Sequence, residues 1–271
     1  MTDRDASQRL DQAVVARGLA RSRTHAQRLV AAGAVTVDGR AVTKPSEPVG
    51  PDARIHVADD GWVSRAAGKL LAALDAFDVD PSGRDALDVG ASTGGFTQVL
   101  LARGARHVTA LDVGHDQFQV PLDARITLLE GVNVRDLRPP LEPQPSLVVA
   151  DVSFISLTLV LPPVHAVATA DADWLVLVKP QFEVGRGRVR GGIVDDPDAR
   201  ADAIRQVLGT AWALGLGTQG IAASPVVGTH GNREYLAHLR AGAAHPERLG
   251  ELPDILARSA GDDARAPGPT E

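Results

Sequence analysis

The stretch Ala86-Leu-Asp-Val-Gly90-Ala-Ser-Thr-Gly94-Gly95-Phe-Thr-Gln-Val-Leu100-Leu-Ala-Arg103 decides the fold. Ala86–Val89 is a short apolar run suited to a strand buried on both faces. A glycine-rich turn follows, and Phe96–Arg103 reads as the helix it feeds. Working outward, Val108–Leu111, Ile126–Leu129, Leu147–Ala150 and Leu175–Val178 repeat the strand pattern. Helical patterns separate several of them, including Asp198–Leu214 with Ala201, Ile204, Val207 and Leu208 on one stripe. Upstream, Leu70, Leu71, Leu74 and Phe77 give Arg65–Phe77 one apolar face. Strand–helix alternation of this kind predicts an α/β domain around a doubly wound, mostly parallel sheet.

The turn itself carries chemistry. It lacks the G-x-G-x-x-G spacing of dinucleotide enzymes, which excludes a nicotinamide-dependent oxidoreductase. Its spacing, Asp88-x-Gly90-x-x-x-Gly94-Gly95, resembles the first motif of S-adenosylmethionine-dependent methyltransferases. Glycines there let a ligand approach the backbone beside a helix N-terminus, so a valine at Gly94 is expected to block binding. About 20 residues on, Asp112 closes the next strand, where an acid can accept hydrogen bonds from a ribose diol. Two more charges, Asp151 and Lys179, follow strands directly, at the edge where open α/β sheets bind ligands.

Composition narrows the classes further. The 271 residues are 44% hydrophobic and 23% charged, an ordinary globular balance. There is no Cys, which removes disulfides, thiolate metal sites and cysteine nucleophiles. Eight His residues show no ligand spacing, so no metal is expected. The charged N-terminus does not read as a signal peptide. Apolar runs such as Trp174–Val178 fall far short of the ~20 residues that span a bilayer. A soluble, cytoplasmic protein without membrane partners is the expectation.

The net charge of −6 conceals a basic stretch, Arg17 to Lys44, in which six basic residues accompany a single acid, Asp38. Two short helices, 7–17 and 22–32, are predicted there, with Ser22 as an N-cap and Gly18 and Gly33 as stops. Val35–Val37 and Arg40–Val42 around Asp38-Gly39 then predict a hairpin, and Arg54–Val57 one more strand. The boundaries drawn are a small α+β unit at 1–58, a linker at 59–64, the α/β domain at 65–245, and a disordered tail at 260–271.

The run from Arg9 to Val49 resembles the small α-L RNA-binding domain shared by a ribosomal small-subunit protein and many pseudouridine synthases. That resemblance makes Arg21, Arg23, Arg28, Arg40 and Lys44 phosphate-contact candidates. Lys69, Asp151, Lys179 and Glu234 stand in the order of the tetrad of FtsJ-like RNA ribose 2′-O-methyltransferases. The segments LDVGASTGGFTQVLLARGA, ADVSFISL, LVKPQFEVGRG, GGIVDDP and GNREYL resemble the TlyA (hemolysin A) family of rRNA cytidine 2′-O-methyltransferases almost end to end. The resemblance implies a Rossmann-like methyltransferase domain, S-adenosylmethionine as cofactor, and ribosomal RNA or ribosomal subunits as partner. It assigns Gly90, Ser92, Gly94, Phe96 and Asp112 to the cofactor, and Asn133 to the neighbourhood of its adenine. Lys69, Asp151, Lys179 and Glu234 become the catalytic group, with Lys179 the base, Lys69 tuning it and the carboxylates holding both.

Two departures from the family pattern stand at Ala66-Ala67, before Lys69, and at His115-Asp116, beside the cofactor motif. Absences favour ribose over base methylation. Without Cys there is no nucleophile of the kind pyrimidine C5 methylation commonly uses. Asp151-Val-Ser-Phe154 also lacks the Pro-Pro motif of exocyclic-amine methyltransferases. A non-catalytic ribosome assembly factor would need a damaged tetrad, and a membrane-lytic hemolysin would need a spanning or amphipathic segment; the sequence shows neither.

Overall fold

The computed structural model describes residues 7–20, 23–31, 33–57, 61–228 and 231–245. Arg21, Ser22 and the 260–271 tail, each singled out by sequence, lie outside the described residues. The chain divides into two units, Met1–Gly61 and Trp62–Glu271, within the 59–64 segment read as a linker.

The amino-terminal unit runs β1 (Gln8–Arg9), α1 (Leu10–Ala16), α2 (Arg23–Ala31), β2 (Val35–Val37), β3 (Arg40–Ala41), β4 (Pro48–Val49) and β5 (Ile55–Val57). α1 starts later than the periodicity predicts because Gln8 and Arg9 pair with Val49 and Pro48 instead. The hairpin forms at Asp38-Gly39, both at positive φ (50° and 80°), the conformation a tight two-residue turn demands. β5 completes that sheet by pairing with β2. Leu10, Val14, Ala26, Val30, Val35 and Val49 fill the core. Beside that core lies Asp11, fully buried. Arg9 grips it with two bonds of 3.0 Å, while Arg23 (3.1 Å) and Gln27 (2.8 Å) add theirs. The Arg9 bond is the main reason the Asp11 carboxyl sits well below the usual carboxylate range.

The larger unit contains α3 (Ala66–Phe77), β6 (Asp85–Val89), α4 (Gly95–Ala102), β7 (His107–Leu111), β8 (Ile126–Leu129), β9 (Leu147–Ala150), α5 (Leu157–His165), β10 (Asp173–Val178), α6 (Pro180–Glu183), α7 (Pro197–Ala213), β11 (Leu216–Ala223) and β12 (Tyr235–Ala241). Its seven strands lie in the order β11-β12-β10-β9-β6-β7-β8. β6 to β10 pair in parallel, whereas β12 runs antiparallel to both its neighbours. The chain winds outward from β6 through β7 to β8, then returns to place β9 on the other side of β6. That reversal is a topological switch point, and open α/β sheets bind ligands beyond its carboxyl ends.

Period-two alternation explains why both faces are covered. Leu147, Val149, Leu175, Leu177 and Leu236 pack with Leu70 and Leu74 of α3 and Phe96, Val99 and Leu100 of α4. Their alternates Val148, Ala150, Trp174, Val176, Val178 and Tyr235 meet Leu157, Val160 and Leu161 of α5 and Ile204, Val207 and Leu208 of α7. Among the described residues no helix is long and apolar enough to cross a membrane.

Candidate active site

Gly90 begins the site. It follows β6 at φ 85°, and its amide donates to the Leu111 carbonyl of β7 (2.8 Å). A Cβ there would stand 2.7 Å from the Asp151 carbonyl oxygen, so only glycine lets β6 and β9 converge at the switch point. Ser92 and Gly114 donate their amides to the two Asp112 oxygens, at 2.8 and 2.7 Å. Asp112 thus joins the glycine-rich turn to the loop after β7. Each of its oxygens keeps a second lone pair for a ligand hydroxyl.

A cleft of about 700 Å³ opens here, lined among others by Gly90, Ser92, Asp112, Gln117, Asn133 and Asp151. Asn133 begins the short 3-10 turn Val134–Asp136, its side-chain oxygen accepting from the Arg135 amide. Two residues assigned to the cofactor are not among those lining this cleft. The Phe96 side chain is buried in the core, packed with Leu70, Leu177 and Leu236. Gly94, at φ 90°, has its Cβ direction filled by Val120 and Phe118, at 2.5 and 2.9 Å. A valine at Gly94 would therefore collide with protein side chains and distort the turn, rather than block a ligand.

Four charges scattered over the sequence converge behind Asp151. Lys69 comes from the first half of α3, Asp151 from the end of β9, Lys179 from the end of β10, and Glu234 from the residue before β12. Lys69 Nζ lies 3.2 Å from Asp151 Oδ2 and 2.7 Å from Glu234 Oε2. Lys179 Nζ lies 2.6 Å from Asp151 Oδ1 and donates to the Ser153 hydroxyl at 2.9 Å. Every one of the four side chains is at most 11% exposed. Two cations and two carboxylates make the cluster neutral, the condition under which buried charges are tolerated. The partners are shared unequally. Among the described residues Lys69 has two carboxylates, whereas Lys179 has Asp151, which it shares, and a neutral hydroxyl.

Beneath the turn, Asp88 is fully buried and accepts from Thr97 Oγ1 at 2.6 Å. Burial above all, opposed by the Thr97 bonds and reinforced by the charges of Asp151 and Asp112, raises its carboxyl to about 7.

The departures at 66–67 and 115–116 leave this arrangement in place. Ala66 and Ala67 lie on the first turn of α3, against Gly95, where any added Cβ would strike the Ser64 hydroxyl. His115 packs its ring over Gly131, and Asp116 takes φ 57°. Sequence reasoning misses Ser153, and it misses Phe154 as a site residue. Phe154 is 92% exposed at the cleft rim, is held at φ 64°, and has its ring centroid 5.1 Å from that of Phe182. The signal is positional, since Phe154 and Phe182 each follow a tetrad member by three residues.

Residues 62–241 match the model of the FtsJ-like methyltransferases, and residues 8–55 that of the S4 domain. The chain belongs to the FtsJ-like methyltransferases. Among relatives of this FtsJ-like methyltransferase is the 16S/23S rRNA (cytidine-2′-O)-methyltransferase TlyA of Mycobacterium tuberculosis, 49% identical over 86% of this chain and 89% of the relative. Hemolysin A of Brachyspira hyodysenteriae is 39% identical over 85% of this chain and 98% of its own. These two place the FtsJ-like methyltransferase in the TlyA (hemolysin A) family. A solved structure from Streptococcus thermophilus carrying a hemolysin name superposes with a TM-score of 0.73 at 34% identity, covering 93% of this chain and 94% of that one.

Of the residues matched to RNA contact, Arg40 is exposed and paired with Glu47, and Lys44 and Arg28 are exposed. Arg23 is half-exposed and tied to Asp11. An open groove of about 500 Å³ runs past Arg9, Gln27, Arg28 and Ser46.

Proposed function

We propose that this chain transfers a methyl group from S-adenosylmethionine to the ribose 2′-hydroxyl of cytidine in ribosomal RNA. The observation that carries the reading is the buried cluster of Lys69, Asp151, Lys179 and Glu234, which meets the cleft at Asp151. The relatives' activity supplies the cytidine and the ribosomal RNA.

The cleft fits the cofactor on its own chemistry. Its volume lies within the ~300–1,000 Å³ of small-molecule sites. The spare lone pairs of Asp112 suit a ribose diol, and Asn133 with Val132 and Val134 forms a wall where the adenine is expected. Bound there, S-adenosylmethionine supplies an electrophilic methyl group on a sulfonium.

The chain's own task is to place a ribose hydroxyl in line and to take its proton. Asp151 fixes both lysines through its two oxygens. Glu234 gives Lys69 a second carboxylate. Lys179 has the smaller share of negative charge and a cation close by, the setting in which a lysine can act as base. We assign proton removal to the neutral amine form of Lys179, whose Nζ becomes an ammonium as it takes the hydroxyl proton, with Lys69 holding Asp151 and Ser153 orienting the lysine. The exposed Phe154 ring offers a stacking face for a base turned out of its helix. Arg28, Arg40 and Lys44 on the S4 unit would hold the RNA by its phosphates.

Lys179→Ala should lower the single-turnover rate by ~10²–10⁴ and leave S-adenosylmethionine and rRNA binding measurable. Wild-type single-turnover rates in that variant would contradict the assignment.

A further inference from the structure

The loops bearing Asp151 and Lys179 are joined twice. The first junction is the Lys179–Asp151–Ser153 contact at the cleft. The second lies beneath it, at Glu183, the last residue of α6. Its Oε1 accepts from the Leu157 amide at 2.9 Å and its Oε2 from the Ser156 hydroxyl at 2.5 Å. Ser156 is the N-cap of α5 and also accepts from the Thr158 amide at 3.1 Å. Glu183 therefore satisfies a helix-terminal N–H of α5 from a different segment, and its negative charge sits at the favourable end of that helix.

Glu183 is only 7% exposed. Burial raises its carboxyl above the usual carboxylate range, while the Leu157 and Ser156 bonds act the other way. A buried carboxylate is a costly means of capping a helix whose N-cap serine is already in place. What it adds is a link between segments. From Lys179 the backbone runs through α6 to Glu183, crosses to Ser156 and Leu157, and returns through residues 151–155 to the Lys179 ammonium. The ring is closed.

We infer that Glu183 is a positioning residue for methyl transfer, locking the Asp151–Ser153 loop to the Lys179 turn so that Lys179 Nζ keeps its place beside Asp151 and Ser153. The inference rests on the reading of Lys179 as the residue that takes the proton. A lock of this kind acts on the reacting geometry and not on either ligand's binding, and displacements of ~1 Å at a reacting centre can cost 10²-fold in rate.

The test uses the full chain, with Glu183→Gln as the principal variant. The amide keeps the size of the side chain and an acceptor for Leu157, but its NH₂ faces a hydroxyl that must now lose its charged acceptor. The expected result is a 10–100-fold fall in kcat, with KM for rRNA and Kd for S-adenosylmethionine within twofold of wild type and the thermal midpoint little changed. Ser156→Ala cuts the same link from the other side, so the Glu183→Gln/Ser156→Ala double variant should be no slower than twofold below the worse single variant. A folded Glu183→Gln protein with wild-type kcat would overturn the inference. So would a loss shared equally among kcat, KM and cofactor affinity, or fully additive losses in the double variant. Lys179→Ala measured alongside separates the two failures: if it too turns over normally, the catalytic reading itself has failed, and this inference with it.

Discussion

Asp88 shows how one buried residue beneath the glycine-rich turn ties stability to pH. Its carboxyl is fully buried with Thr97 as its hydrogen-bond donor, and it titrates at about 7 instead of its ordinary 3.8. The folded state therefore keeps a proton that the unfolded chain releases near pH 4. Raising the pH from about 4 to about 7 then draws stability away from the fold, since the unfolded state binds fewer protons throughout that window. Asn at this position imitates the protonated acid in shape and cannot ionise. Asp88→Asn should raise the thermal midpoint at pH 8 by several degrees and leave it nearly unchanged at pH 4. A gain of equal size at both pH values would show that ionisation of Asp88 is not the cause.

At the scale of elements, the RNA-facing surface is open to a direct measurement. Arg40, beside the Asp38-Gly39 turn, and Lys44, just beyond β3, are exposed cations on the S4 unit. Removing one phosphate-binding cation should flatten the slope of log affinity against log salt by ~0.7–0.9. Arg40→Ala/Lys44→Ala should therefore weaken rRNA binding and reduce that slope by one to two, with cofactor affinity unchanged. Filter binding from low to physiological salt would measure it, and an unaltered slope would exclude both residues from the RNA-binding surface.

Elements also differ in how far the sequence announces them. β6 to β10, α3, α4 and α7 are legible because apolar runs and helical stripes mark them without interruption. α5 is not, because Pro162 and Pro163 lie inside it and two prolines ordinarily signal a break. β11 carries Gly217 and Gly220 and a register shift between Thr218 and Gly220, features that resemble a loop. Those glycines have tertiary causes: a Cβ on Gly217 would meet the Ala243 carbonyl, and one on Gly220 the Phe77 ring. Within the site, Lys69, Asp151, Lys179 and Glu234 are legible through the family resemblance. Ser153, Ser156 and Glu183 are not, because their roles arise only when β9 and β10 lie side by side.

Across the whole larger unit, the two ends of the sheet do different work. The carboxyl edge holds the cleft, and the opposite edge is clamped by Asp173. There Arg84 Nη1 and His238 Nε2 each approach the Asp173 carboxylate to 2.8 Å, with Arg240 at 3.5 Å. Burial would raise this carboxyl, but the bonds from His238 and Arg84 outweigh it and hold it at about 2. Its stabilising contribution is complete above pH 4 and is lost as the pH falls through 2. The shift corresponds to about 2 kcal/mol. Asp173→Asn should be less stable than wild type by about that amount at pH 7, the difference closing between pH 4 and pH 2 in urea titrations. A difference independent of pH would mean that packing, not charge, holds this edge.

At the same scale, the central claim turns on which atom receives the methyl group. A 2′-O-methyl ribose has no free hydroxyl to attack the following phosphate, so it resists alkaline cleavage at that linkage. Ribosomal RNA treated with the full-length protein and S-adenosylmethionine, then hydrolysed in base and mapped by mass spectrometry, gives the most direct reading. The expected product is an alkali-resistant dinucleotide beginning with 2′-O-methylcytidine, absent when Lys179→Ala protein is used. Complete alkaline cleavage, with the new methyl group on a base, would contradict it.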